Sequence, residues 1–227
     1  MGGVNTAVAI DGFVASGKST CAHALAERLN YLYLDTGAMY RAVAFLALRN
    51  GVGVDQETAL AGMLAAHRVD VEMDDTTVLG YSVKVDGIDV TDSLFNPDVT
   101  AAVSVVASQP AIRAALVGRQ REIAREGSVV MAGRDIGTIV LPDARYKFFL
   151  TAALDERARR RQFELQERGV HISLDEVRAQ IQERDRLDES RATSPLRRAL
   201  DAVQIDSTGI LAEQVVERML ATIRNAA

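Results

Sequence analysis

The run from Asp11 to Thr20, DGFVASGKST, has the residue types needed to hold a chain of phosphates. Gly12, Gly17, Lys18 and Ser19 fit the pattern G-x-x-x-x-G-K-[ST], whose glycines let backbone N–H groups curl around phosphate oxygens. Lys18 can reach the β- and γ-phosphates, and the Ser19 hydroxyl can ligate Mg²⁺. Phe13, Val14, Ala15, Ser16 and Thr20 complete a loop expected to wrap a nucleoside triphosphate. The pattern has the required context. Thr6 to Ile10 is an apolar, β-branched run that reads as a buried strand, and Ala22, Leu25, Ala26 and Leu29 then recur at helical spacing. A helix starting at the loop adds its positive end to the anion site.

Arginines supply the next signals. Arg134 and Asp135 follow the strand-like run Ser128 to Met131, where a guanidinium can grip phosphate as a fork. Asp135 would be repelled by phosphate, so it must pair with an arginine or read an amino group. Arg157, Arg159, Arg160 and Arg161 crowd the start of a helix that Asp155 is expected to cap. A cation in the first turn opposes the helix dipole, so the cluster reads as a mobile flap that closes over a triphosphate. Val177, Ile181, Arg184, Asp188 and Arg191 step by four, three, four and three along one helix face. That face runs from apolar to charged, while Gln182, Glu183, Asp185, Arg186 and Glu189 lie off it. Thr36, Gly37 and Arg41 form a smaller set able to hold another phosphate after the second strand.

These residues need a frame. The expected elements are a strand at Tyr31 to Leu34, helices from Ala38 to Asn50 and Asp55 to His67, and two helices flanking Gln109-Pro110. A strand at Tyr146 to Leu150, a helix from Ser173 to Ser190, a strand at Val203 to Asp206 and a helix from Ile210 follow. Between Val69 and Val90 the texture becomes β-rich with turn residues, and Asp86-Gly87 signals a hairpin. Alternating strands and helices predict an α/β fold, a parallel sheet with helices on both faces, with a small antiparallel insert. Ligands of such sheets bind beyond the carboxyl ends of the strands, where the unusual polar residues fall.

Bulk properties are those of an ordinary globular chain of 227 residues with net charge −5, so no global field draws it to nucleic acid or an anionic membrane. Cys21 is the single cysteine, which excludes an intrachain disulfide and fits a reducing, cytoplasmic setting as a small apolar residue. Met1 to Thr6 matches a myristoylation pattern, read as accidental because it leads into a core strand. No apolar stretch is long enough to span a bilayer.

Taken together, DGFVASGKST, LDTGAMYR (Leu34 to Arg41), GRDIGT (Gly133 to Thr138), ERDRLDESR (Glu183 to Arg191) and IDST (Ile205 to Thr208) resemble the bacterial cytidylate kinases, over nearly the whole chain. The resemblance implies a nucleoside monophosphate kinase fold: core 1–67 and 107–227, monophosphate-binding insert about 68–106 and lid about 155–171. It implies transfer of the γ-phosphoryl group of ATP to CMP or dCMP, by a monomer using Mg²⁺, without nucleic acid or membrane. Thr36, Arg41 and Arg134 would hold the acceptor phosphate, and Ser104, Arg113 and Asp135 would read cytosine. Arg184 and Asp188 would hold the sugar, Arg191 would complete the site, and Arg157 and Arg160 match the lid arginines. Lys18, Arg134, Arg157 and Arg160 would then be the catalytic cations.

Phe13 stands where that family usually has proline, and Ala132 where many members have an acidic residue. With Ala132 unable to orient water on Mg²⁺, the carboxylate must come from Asp35 or Asp11. Asp35 is favoured, Asp11 being assigned to the turn of the phosphate loop. The nearest rival is a kinase for another monophosphate such as UMP. A GTPase-type switch needs an N-K-x-D motif, which none of Lys18, Lys84 and Lys147 supplies.

Overall fold

The computed structural model describes residues 6–74, 76–77 and 79–225. The myristoylation pattern lies almost wholly outside these residues, as does Val78 at the start of one β-rich piece of the insert. Five parallel strands form the central sheet in the order β2-β6-β1-β7-β8: β1 (Ala7–Gly12), β2 (Leu32–Asp35), β6 (Val129–Gly133), β7 (Tyr146–Thr151) and β8 (Val203–Asp206). Alternation along β1 splits the core. Val8 and Ile10 pack with α1 (Lys18–Leu29) and α8 (Ala212–Asn225), while Ala9 packs on the other face with α2 (Thr36–Arg49) and α5 (Pro110–Glu126). The expected parallel sheet with helices on both faces is the one observed.

The insert is a three-stranded antiparallel sheet of β3 (Val69–Met73), β4 (Tyr81–Val85) and β5 (Ile88–Asp89). It joins the rest of the molecule through Tyr81, Val83 and Val85, which are buried in the same core as Val8 and Ile10. A 3-10 turn (Thr91–Phe95) leads from it into α4 (Pro97–Val106); α3 (Glu57–Ala66) precedes it.

Helix α6 spans Leu154–Glu167 and α7 spans Leu174–Ser190. Ser173 and Glu176 form a reciprocal capping box at the start of α7, fixing where that helix begins. Asp155 does not cap α6, contrary to the expectation. Ala153 holds the cap position without a side-chain bond, and Asp155 sits in the first turn, 2.8 Å from Arg178 of α7. Between β6 and β7 the chain makes one π-helical turn (Ile136–Val140) that sequence pattern does not predict.

Candidate active site

Gly12 ends β1 with a φ of 149°, and a Cβ there would lie 2.1 Å from the carbonyl oxygen of Leu150 on β7. Only glycine lets the loop leave the sheet at this point. Gly17, at φ 87°, is the cap residue of α1, so the loop delivers its N–H groups to the start of that helix. The loop is braced from inside: Ser16 Oγ donates to the Phe13 carbonyl at 2.9 Å, and Lys18 Nζ donates to the same oxygen. The Phe13 ring packs edge-on against Phe149, centroids 5.8 Å apart, so packing does here what a stiff residue would do. Burial, followed by the Arg134 charge, pushes the Lys18 ammonium well below the usual lysine range. A buried cation so placed favours an anion.

One cleft joins this loop to the strand ends. Val14, Ala15, Gly17, Lys18, Ser19 and Thr20 of the loop line it, with Asp35, Thr36, Gly37 and Arg41 from the end of β2 and the start of α2. Arg113, Arg134, Asp135, Arg184, Asp188 and Arg191 line it as well. Residues as far apart in sequence as Val14 and Arg191 thus meet at one place.

Three of these arginines, Arg113, Arg134 and Arg191, are held by carboxylates. Arg134 Nε donates to Asp188 Oδ2 at 2.8 Å, and Arg191 pairs with the other oxygen of Asp188. Burial raises the Asp188 pKa, but Arg134, Arg191 and Arg184 outweigh it and hold the carboxyl below its ordinary range. Asp135 pairs with Arg113, both buried, and not with its neighbour Arg134. Burial is the leading influence on Asp135 and pushes it up. Among the described residues Arg184 forms no such pair: its Nε is buried without a hydrogen bond, and burial with the Arg134 charge lowers it to about 10.

Other assigned residues sit elsewhere. Asp11 is buried, and its two oxygens accept from Ile136 N and Gly137 N at 2.7 and 2.8 Å. It therefore holds the turn after β6 rather than the phosphate loop, and burial raises it to about 6. Asp35 caps α2 by accepting from Gly37 N at 2.9 Å, and its second oxygen lies 3.4 Å from Ser19 Oγ. The Thr36 hydroxyl donates to the Ala132 carbonyl at 2.9 Å. Ser104 is half-buried on α4, while its neighbours Val103 and Ala107 reach the cleft.

Arg157 and Arg160 do not line the cleft. Arg157 is buried, donating to Asp185 Oδ2 at 2.6 Å and to Val14 O at 3.3 Å, over the face of Phe13 at 5.1 Å. Arg160 bonds Ser207 Oγ at 3.0 Å and Ser207 O at 2.7 Å, and its Nη1 would be 3.7 Å from a Cβ on Gly17. Ser207 in turn donates to Ser16 O at 3.0 Å, so lid helix, last strand and phosphate loop are tied together. The lid residues that do line the cleft are Arg161 and Glu164, paired at 3.0 Å. Sequence reading placed Arg161 only in a general cluster and did not single out Glu164 or Tyr40, another lining residue. It also placed Asp185 off the working face. Asp185 follows Ile181 by four as Arg184 follows it by three, so both flank the buried stripe.

Comparison with known proteins matches residues 8–225 to the cytidylate kinase family model. A cytidylate kinase of Desulfitobacterium hafniense (strain Y51) is 47% identical over 96% of this chain and 92% of its own length. One of Geobacillus kaustophilus (strain HTA426) is 49% identical over 95% of each. A crystal structure of an uncharacterized protein from Eubacterium ventriosum ATCC 27560 superposes with a TM-score of 0.54 at 12% identity, covering 97% of this chain and 99% of that one, a likeness of fold.

Proposed function

The chain belongs to the cytidylate kinase family, and from that premise we propose how its residues divide the work. It is an ATP-dependent phosphotransferase that makes CDP from CMP. The observation that carries the residue assignment is the single cleft in which Lys18 faces the carboxylate-held arginines across the strand ends.

ATP lies along Gly12 to Thr20, its phosphates against the loop N–H groups and Lys18. The acceptor phosphate is held by Arg41, Arg134 and Arg191, with Thr36 beside them. Its oxygen is already ionised, so transfer needs alignment and charge neutralisation more than a base. Arg113 and Asp135 read cytosine together with Ser104, and Arg184 and Asp188 take the sugar. Arg157 sets the root of the lid against the phosphate loop. Arg160, beside Gly17, exchanges Ser207 for phosphate as residues 155–171 close and exclude water. The insert, about 68–106, carries the acceptor-side wall.

The residues fit Mg²⁺ at Ser19: its hydroxyl is free of the core and has the Asp35 carboxylate beside it. With ATP bound, a Mg²⁺ held there would supply charge neutralisation on the phosphates. Ser19 would be its protein ligand and Asp35 the acceptor for one of its waters, since Asp11 is engaged with Ile136 and Gly137. dCMP serves as a second acceptor, and the protein works as a cytoplasmic monomer whose site draws on one chain. No single helix among the described residues is long and apolar enough to cross a membrane.

A coupled assay of ADP formation across CMP, dCMP, UMP, AMP and GMP tests this reading. CMP and dCMP should lead in kcat/KM, whereas equal use of UMP would return the reading to a broader pyrimidine monophosphate kinase.

A further inference from the structure

Two guanidinium groups reach the ring of Phe95. Arg168, which follows α6, has its guanidinium carbon 4.2 Å from the ring centroid, and Arg41 of α2 lies 5.4 Å from it. Phe95 closes the 3-10 turn below the insert and packs at the edge of the core that holds Tyr81 and Leu94. Among the described residues neither guanidinium forms an ion pair or a hydrogen bond, and the Nε of Arg41 is buried without one. Burial and the charges of Arg161 and Arg41 outweigh the nearby Glu164 carboxylate and hold Arg168 below the usual arginine range.

This differs from Arg113, Arg134 and Arg191 of the cleft, each of which engages a carboxylate. A carboxylate satisfies N–H donors that a phosphate must then win back. An aromatic face attracts the cation without using any of those donors, so the whole fork stays available. Two cations drawn to one ring also repel each other, and an anion that both can reach relieves the repulsion. The acceptor phosphate is such an anion.

We propose that Phe95 is a positioning residue for the acceptor, holding Arg41 ready for phosphate and linking it to Arg168 at the end of α6. Acceptor binding and placement of the lid are thereby coupled through one ring. The inference rests on the reading of Arg41 as a ligand of the acceptor phosphate.

Steady-state kinetics of five variants tests it, with CMP and ATP varied separately. Phe95→Leu keeps apolar bulk and loses the ring face, Phe95→Trp keeps a face, and Arg168→Gln removes the second cation. Phe95→Leu and Arg168→Gln should each raise KM for CMP roughly three- to tenfold while leaving KM for ATP in place, the scale of one partly desolvated cation–π contact. Combining the two should add nothing beyond the larger single effect, and Phe95→Trp should behave as the parent protein does. Arg41→Gln tests the underlying reading separately. If it leaves KM for CMP unchanged, that reading fails and the inference with it. If Arg41→Gln raises KM but Arg168→Gln does not, or the Phe95→Leu and Arg168→Gln effects multiply, the coupling is overturned and the acceptor reading stands.

Discussion

In the proposed reading, the two halves of the cleft hold phosphate by different means. The donor half is made of backbone: a glycine that only glycine can be, a helix start and one lysine whose charge is braced on the Phe13 carbonyl. The acceptor half is made of side chains drawn from α2, α5, β6 and α7, and three of its cations, Arg113, Arg134 and Arg191, are fixed by Asp135 and Asp188. A backbone site is rigid because its strand and helix are. A side-chain site is rigid only while its ion pairs are complete, since removing one partner leaves a buried charge uncompensated. The donor half should therefore fail at one residue, and the acceptor half through its carboxylates as much as its arginines.

The largest break is at Lys18. Lys18→Ala should lower kcat by about 10²–10³, as for loss of a donor aimed at developing charge, with the fold intact by thermal melting. The same residue sets a pH limit. Lys18 is cationic below its pKa, and burial moves that pKa down, so kcat/KM for ATP should fall on the alkaline side before the usual lysine range is reached. Lys18→Arg, always charged, should lack that limb whatever its absolute rate.

Next comes Asp188, a residue with no positive charge to offer phosphate. Asp188→Asn should raise KM for CMP by about 10- to 100-fold, because Arg134 and Arg191 both lose their anchor, while KM for ATP stays put. If KM for ATP rises equally, the two halves are not separable as described.

A smaller effect probes the seam between them. Asp35→Asn should raise the Mg²⁺ concentration for half-maximal rate by roughly tenfold, the scale of an outer-shell partner, and raise it likewise for calorimetric binding of ADP. Adding Ala132→Asp should restore part of the loss, because Ala132 is the register partner of Asp35 on β6. A titration of Asp35→Asn that overlays the parent protein leaves water alone to fill that position.

The same contrast explains what could be read from the chain. The donor loop is contiguous, so its residues and its flanking strand and helix are visible as letters. The parallel sheet was legible from alternation, and the antiparallel insert from its turn residues. Ion pairing was not: nothing local says that Asp135 turns from Arg134 to Arg113, 22 residues away, or that Asp188 takes Arg134 instead of Arg184. Asp185 was placed on the wrong side because neighbouring positions share the edge of a helical stripe. Asp155 looked like a cap, yet the backbone enters α6 two residues earlier. Asp11 was assigned to its own loop, but as a buried carboxylate ending β1 it takes the two nearest N–H groups, which come from the turn after β6. Each miss concerns a side chain whose partner is chosen by tertiary packing.

The central claim is that the acceptor half chooses its base through a carboxylate. Cytosine offers an amino group where uracil offers a carbonyl, and a carboxylate can accept only from the first. The direct measurement is the ratio of kcat/KM for CMP to that for UMP in the parent protein and in Asp135→Asn. The account predicts that the ratio narrows by roughly tenfold or more, since a site built to bond one polar group rejects its absence strongly. An unchanged ratio would contradict it and move base recognition to Ser104 and Arg113.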